Sequence, residues 1–484
     1  YAAPKLANRA QNAMRNIFYS RGFELKVALR RQEQYWYASL PLTLSKNFAD
    51  ELRFNKQLTP KHSGNAIHLA PLIAEGRGTG TPVLLGVGRR GQLAPIDLFD
   101  NEFGGKNASV VGATGSGQST LLQEIAESYY SCGAKVRVSE KGRSFQKVAE
   151  RLGGQFIRFV SQSRICINPF SMVSEPIEID GEMCGGIDDD VALLQPLVAK
   201  MASPYRDLDP PVYATIATVI KEEFTRKGRA MTITDVRDRY RSGRIYEDRP
   251  VDQRYLDLYD MLAPWAVGGA YEKWFNGPCN IDFSSDFIVL ELEELKAKKD
   301  LQTVVLLIVM YRITREMYFS RDRKKIVIID EAWDLLSGGA TAEFIEAGYR
   351  RARKYKGAFM SATQGVDDYY RNPAAKAALD NSDWMFLLRQ KPESIEMMDK
   401  LGQLTMDDAM KRLLLSLRTE HGAYSEVFIH SPAGNGIGRL IVDPYSLLLF
   451  SSRAEDFNAI NAKRAAGLDV SAAIDAMLRE RGLA

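Results

Sequence analysis

The chain has 484 residues, 45% of them hydrophobic and 26% charged, a composition that excludes a disordered tract, a collagen-like repeat or a coiled-coil rod. That length exceeds what one ordinary core fills, so two to four structural units are expected. Lys+Arg total 64 against Asp+Glu 61, and the resulting net charge of +3 does not signal a nucleic-acid coat, although a local basic stripe is compatible with it.

Cys132, Cys166, Cys184 and Cys279 stand far apart with no CxxC pair, which argues against a disulfide framework or a zinc site and suits a reducing compartment. The longest unbroken apolar run, Val304–Tyr311, falls far short of the roughly 20 residues a spanning helix needs. The sequence opens at Tyr1 rather than Met and has no signal-type apolar core, so it is expected to be a fragment of a longer chain.

In chain order, residues 1–85 are expected to be the end of an upstream N-terminal domain and a linker. This stretch has a polar helix over Leu6–Phe18, a strand-like run over Phe23–Leu29 and Gly/Thr/Pro-rich turns around Gly76–Pro82. Val83–Leu93 has the pattern of a hairpin. Residues 86–170 begin an α/β unit: a buried-type strand Ala108–Val111, a glycine-rich turn, a helix Ser119–Ser131 ending at Gly133, then strands Lys135–Ser139 and Gln155–Val160. Strand, helix and strand at that spacing form a βαβ unit, which requires a parallel sheet. Residues 171–280 carry helical spacing over Asp188–Met201, Pro211–Lys227 and Ile233–Tyr240, and are expected to be an inserted all-helical subdomain.

Residues 281–450 return to α/β. Strands are predicted at Phe287–Leu292, Lys325–Asp330, Gly357–Thr363 and Trp384–Arg389, with helices at Leu301–Tyr318, Thr341–Lys354 and Ala374–Asn381 between them. A strand pair, Ala423–His430 and Gly438–Val442, follows across a Ser-Pro-Ala-Gly-Asn-Gly turn, and residues 451–484 are predicted as C-terminal helices. The expected fold is therefore α/β with a mainly parallel sheet, interrupted by a helical insertion.

Gly112-Ala-Thr-Gly-Ser-Gly117-Gln118-Ser119 has the spacing of a phosphate-binding loop, G-x-x-x-x-G-K-[ST], between a strand and a helix. Such a loop points backbone N–H groups at phosphates, because the first turn of the helix leaves them without partners and gives them positive partial charge. Gly112, Thr114, Gly115, Ser116, Gly117, Gln118, Ser119 and Thr120 are the candidate nucleotide-binding residues, and Ser119 would offer its hydroxyl to Mg²⁺. Gln118 departs from the pattern, since it replaces the lysine that contacts the β- and γ-phosphates. An amide still donates a hydrogen bond but carries no charge, and losing one preorganised group of this kind costs about 10²–10³ in turnover. Three origins stay open: an engineered knockout, a naturally inactive paralogue, or an enzyme drawing on another cation such as Lys141.

Lys325-Ile-Val-Ile-Ile-Asp330-Glu331 is an apolar strand ending in two acids. Beside a phosphate loop, Asp330 would hold Mg²⁺ through water and Glu331 would orient and deprotonate the attacking water. Gln364, after the buried run Gly357–Thr363, stands where ligands bind in such sheets and could sense the γ-phosphate. In the basic run Tyr349–Lys356, Arg353 is the first candidate, and Arg351 the second, for an arginine reaching a neighbouring subunit's γ-phosphate; a solvated helix end is the alternative. Glu140 and Arg143, after the strand Lys135–Ser139, have either a role at the cleft or a plain capping role. His62, His68, His421 and His430 show no ligand spacing, and Trp265, Trp274 and Trp333 are expected to be packing residues.

Taken together these motifs resemble the RecA-like P-loop motor superfamily of conjugation and type IV secretion ATPases, in particular its TraC-type branch. The resemblance runs from about Gly86 to the end. It rests on Val110–Gly117, Gly142-Arg-Ser, Leu152-Gly-Gly-Gln-Phe-Ile, Ile167-Asn-Pro-Phe, Ile329-Asp-Glu-Ala-Trp-Asp-Leu-Leu, Arg353-Lys-Tyr, Ser361-Ala-Thr-Gln and Val442-Asp-Pro-Tyr-Ser-Leu-Leu-Leu-Phe. It implies a RecA-like fold with a helical insertion, ATP and Mg²⁺ as ligands, and a homo-oligomer, in this family a hexamer or a dimer-forming ATPase. It also implies docking at the cytoplasmic side of the bacterial inner membrane on type IV secretion components. Residues 1–60 resemble only the end of the family's N-terminal domain, and Gln118 and Glu140 depart from the family's lysine and aspartate. A conjugative coupling protein or DNA translocase shares the same motor, and a scaffold that binds nucleotide without turnover is the non-enzymatic alternative. Nucleic acid is a possible partner that the sequence does not specifically indicate.

Overall fold

The structure is a computed structural model. It describes residues 4–20, 22, 24–26, 30–40, 44–57, 62–64, 76, 78–101, 104–160, 163–173, 175–179, 182–295, 297–319, 322–330, 348–350, 352, 355–370, 373–400, 402 and 406–483. The chain divides into two compact units, Tyr1–Ala74 and Glu75–Ala484. Within the first, helices run over Pro4–Tyr19, Gln32–Ser39 and Lys46–Phe54. Ser45 starts the third by accepting the Phe48 N–H at 3.3 Å, and that helix buries Leu52. The run predicted as a strand at Phe23–Leu29 has no regular structure over residues 24–26, and its other residues lie outside the described set.

The second unit is built on one sheet. Its strands are β1 (Leu84–Val87), β2 (Leu93–Ile96), β3 (Ala108–Val111), β4 (Lys135–Glu140), β5 (Gln155–Arg158), β8 (Phe287–Glu291), β9 (Lys325–Asp330), β10 (Gly357–Thr363), β11 (Trp384–Leu387), β12 (Thr419–Glu420), β13 (Tyr424–Ser431) and β14 (Gly434–Leu440). A separate hairpin joins β6 (Ile177–Ile179) to β7 (Glu182–Cys184). The sheet order is β2-β1-β14-β13-β11-β3-β10-β9-β4-β8-β5, with β12 paired to β13. From β11 to β5 all neighbours are parallel. From β13 outward they are antiparallel.

The parallel strands are apolar because both of their faces are covered. Val110, Ile326 and Ile328 face one core together with Leu121, Leu122 and Ile125 of the helix Gln118–Ser131 and with the C-terminal helices Pro444–Phe450, Ala454–Ala465 and Val470–Glu480. Val111, Val327 and Ile329 face the other core, together with the helices Gly186–Ala202, Pro210–Lys227 and Ile233–Arg239. The helix Lys299–Phe319 lies in this second layer; Val304–Val309 are buried without a break, as expected for a helix apolar on all sides. The helices of residues 186–262 therefore share one core with the sheet rather than enclosing their own.

The second unit departs from the sequence reading in several places, the first being that residues 171–280, expected to be all-helical, carry the β6–β7 hairpin. The Gly434-Asn-Gly436 stretch, predicted as a turn, is part of β14, and the turn shrinks to Pro432-Ala433 between the paired Ser431 and Gly434. A helix at Gln253–Leu262 was not predicted. The predicted helix Thr341–Lys354 lies outside the described residues except for 348–350 and 352.

Candidate nucleotide-binding site

The loop after β3 emerges between two neighbours in register with it, Thr363 of β10 and Leu387 of β11, each opposite Val111. The ladder continues past the strand end: Gly112 N–H donates to Thr363 O at 3.2 Å and Ala113 N–H to Arg389 O at 3.1 Å. Ser116 N–H closes a turn on Ala113 O at 2.9 Å, and Leu121 N–H begins the helix on Gly117 O at 2.9 Å. Gly115 and Gly117 have φ of +74° and +94°, a region that side-chain-bearing residues rarely enter. Gly112 has a steric reason as well, since a Cβ there would lie 2.4 Å from Ser116 Oγ. Among the described residues, no intramolecular hydrogen bond engages the N–H of Gly115, Gly117, Gln118, Ser119 or Thr120. These unpaired donors at a helix N-terminus form an anion cradle.

Gln118 does not point into that cradle. Its Nε2 donates to Thr363 O at 2.8 Å and to Val110 O at 3.3 Å, so both amide hydrogens are engaged by strand ends. Thr114 Oγ1 donates to Gln364 Oε1 at 3.4 Å, which puts Gln364 at the mouth of the loop. Ser119, in the first helical turn, lines the same cleft. Asp330 closes β9, paired with Ala362 of β10, and is 9% exposed. It stands two strands from β3, about 10 Å between strand axes. Glu331 and Arg353, like Arg351 and Trp333, lie outside the described residues.

Glu140 and Glu291 end β4 and β8 opposite each other, beside Asp330 of β9. Both are fully buried. Glu140 accepts from Ser144 N–H at 2.8 Å and Phe145 N–H at 3.0 Å, while Glu291 accepts from Arg143 N–H at 2.6 Å and Glu293 N–H at 2.7 Å. Of its two sequence readings, Glu140 thus takes the capping one. Burial pushes its carboxyl up to about 8, and the neighbouring Glu291 and Asp330 add to the rise. Arg143, with φ of +59°, pairs with Glu294 at 2.7 Å. Glu291 was not singled out from sequence, although Phe-Ile-Val-Leu-Glu shares the apolar-strand-then-acid pattern of β9.

The cleft above the loop has a volume of about 690 Å³. Its far wall comes from parts of the chain to which no role was assigned: the β12–β13 turn, the helix Pro444–Phe450, the loop Ser451–Arg453, and Arg481. That wall is held by buried donors. Lys147 Nζ donates to Leu448 O at 2.7 Å and Ser451 O at 2.8 Å, and burial lowers its ammonium to about 8. Gln123 Nε2 bridges Ser119 O at 3.2 Å and Phe450 O at 3.3 Å. Among the described residues, no cluster of three or more His, Cys, Asp or Glu could hold a metal ion. A cation here would rely on Ser119, Asp330 and the oxygens of a bound phosphate chain, a hard-oxygen set that suits Mg²⁺.

Comparison with known proteins agrees with this geometry. Over 477 residues the chain is 27% identical to Protein TraC of Escherichia coli (strain K12), an alignment that covers 95% of this chain and 52% of the relative. The chain thus spans about half the length of that curated protein. The structure of VirB4 of Thermoanaerobacter pseudethanolicus superposes with a TM-score of 0.62 at 21% identity, covering 77% of this chain and 100% of that one. The plasmid coupling protein TrwB, solved in complex with ADP and Mg²⁺, gives a TM-score of 0.50 at 12% identity, with 79% and 92% covered. Both likenesses concern the fold, which is that of an α/β P-loop NTPase. Residues 77–481 match the model of the TraG P-loop domain, and the chain belongs to that family.

Proposed function

We propose that this chain binds ATP with Mg²⁺ over Gly112–Thr120 and acts as the ATPase motor subunit of a conjugative type IV secretion system, powering pilus assembly or substrate transfer. The observation that carries this reading is the set of N–H groups of Gly115, Gly117, Gln118, Ser119 and Thr120, unpaired among the described residues, with Asp330 on the same carboxyl rim of the sheet. Phosphate oxygens would accept from those N–H groups, and Ser119 and Asp330 would hold the cation. When bound, Mg²⁺ offsets the negative charge of the β- and γ-phosphates. Glu331, next in sequence to Asp330, takes the proton of the attacking water, and Gln364 beside Thr114 positions that water or the γ-phosphate. Arg353 acts on the site of a neighbouring subunit.

The same reading makes the assembly a homo-oligomer, a hexamer by resemblance, attached from the cytoplasm to inner-membrane secretion components. Among the described residues no helix is long and apolar enough to cross a membrane. We take residues 86–170 and 281–450 as the two parts of the motor, 171–280 as its insertion, 451–484 as the C-terminal helices, and 1–85 as the end of the preceding domain. A second reading, a nucleotide-binding scaffold with little turnover, is favoured by one observation: the Gln118 amide is engaged by Thr363 and Val110 and brings no charge to the cradle.

Phosphate release from ATP, followed against protein concentration with and without DNA, tests the assignment. Specific activity of a Gln118→Lys chain that rises with concentration and ignores DNA supports an oligomeric secretion motor. Stimulation by DNA would favour a translocase.

A further inference from the structure

We infer that Thr419 is a positioning residue for phosphate binding, acting through the Ser116–Gly117 peptide. This rests on the reading that the cradle binds the phosphates of ATP. Thr419 Oγ1 donates to Ser116 O at 2.9 Å from a strand 303 residues downstream. In a planar trans peptide the C=O and the following N–H point in opposite directions. A bond that holds the Ser116 carbonyl against β12 therefore turns the Gly117 N–H the other way, into the cradle, where it has no partner among the described residues.

Local backbone preference holds that orientation only weakly: the plane of the Ser116–Gly117 peptide is set by ψ of Ser116 and φ of Gly117, and Gly117 sits at +94°, in a φ space whose two halves glycine enters at similar cost. The usual lysine would also help align the loop on bound phosphate; here Gln118 is tied to the strand ends instead. The β12–β13 turn supplies the missing constraint. Ser425 Oγ fills the space beside Gly117, where a Cβ would come within 2.2 Å of it. Glu426, buried, accepts from Arg418 N–H at 3.1 Å, from Arg89 Nε at 2.9 Å and from Arg439 Nε at 3.2 Å, which fixes the backbone next to Thr419. The chain of contacts runs from Arg89 and Arg439 through Glu426 to Thr419, and from there to the phosphate loop.

Calorimetric titration of the full chain with Mg·ATP, with adenosine as a probe lacking phosphate, tests this. Thr419→Val keeps the shape and removes the donor, and should raise the Kd for ATP about tenfold, the value of one hydrogen bond that leaves a carbonyl unsatisfied. Adenosine binding should be unchanged, and Thr419→Ser should restore ATP affinity to within about twofold. If Thr419→Val aggregates, Thr419→Ala is expected to show the same selective loss. Equal ATP affinity in wild type and Thr419→Val, parallel loss of adenosine and ATP, or no recovery in Thr419→Ser would each overturn the assignment. Failure of the wild-type chain to bind ATP at all would instead overturn the reading beneath it.

Discussion

Gln118 Nε2 and the carbonyl of Thr363 lie 2.8 Å apart, joining the first residue of the phosphate-loop helix to the end of the adjacent strand. The same carbonyl accepts from Gly112 N–H. The side chain that a motor would direct at the γ-phosphate is thus used to fasten the two walls of the loop. Backbone donors are untouched by this arrangement, so nucleotide binding is expected to survive where turnover is weakened.

Replacing Gln118 by Lys adds a charged donor at the cradle. Steady-state phosphate release should rise by about two orders of magnitude or more, the usual worth of one preorganised electrostatic contact, while the Kd for Mg·ADP changes much less. An unchanged rate would mean that the site lacks turnover for a reason other than this position.

In that restored background, Glu331→Gln should abolish hydrolysis and leave Mg·ATP bound. The substitution removes the base but neither the cradle nor the donors Ser119 and Asp330. Quenched-flow and filter-binding measurements on the same preparation separate the two effects, and continued hydrolysis would remove Glu331 from its role.

Arg353→Ala should lower turnover only where one subunit reaches another. Mixing Gln118→Lys subunits with Gln118→Lys subunits also carrying Arg353→Ala should depress the rate in a manner that depends on their ratio within the oligomer. A loss confined to the altered subunits themselves would show the arginine acting in its own site.

Glu140 makes stability depend on pH in a direction opposite to most carboxylates. It keeps its proton up to about 8 in the folded chain against an ordinary 4.5, so between those values the native state holds more protons than the unfolded one and loses stability as pH rises. Glu140→Gln, which stays neutral, removes that dependence. The melting temperature of the wild type relative to Glu140→Gln should fall steadily from about pH 5 to about pH 8. A constant difference would indicate that Glu140 is ionised throughout.

Much of the second unit was legible because its central strands are apolar on both faces and stop at polar residues. Lys325–Asp330 and Gly357–Thr363 have the same bounds in the sequence reading and in the structure. β14 was misread because Gly434-Asn-Gly436 has the composition of a turn. Its glycines do not bar the strand: a Cβ on Gly438 would stand 3.4 Å from Gly86 Cα and one on Gly436 would stand 3.6 Å from Gly76 Cα, both ordinary contact distances.

The site was legible only where its residues are consecutive. Gly112–Thr120 and Asp330 announce themselves by local spacing. Thr419 and the helix Pro444–Phe450 reach the cleft, and Lys147 braces that helix from behind, through tertiary contacts that no local pattern encodes. Glu291 had a signal, an acid ending an apolar strand, but no second motif to distinguish it from a helix cap.

The most direct test of the account is a crystal structure of the full chain with Mg²⁺ and a slowly hydrolysed ATP analogue. The account predicts β- and γ-phosphate oxygens within hydrogen-bond distance of the N–H groups of Gly115–Thr120, with the ion between Ser119 and Asp330. A nucleotide bound elsewhere, or an Asp330 carboxylate turned away from the metal, would contradict it.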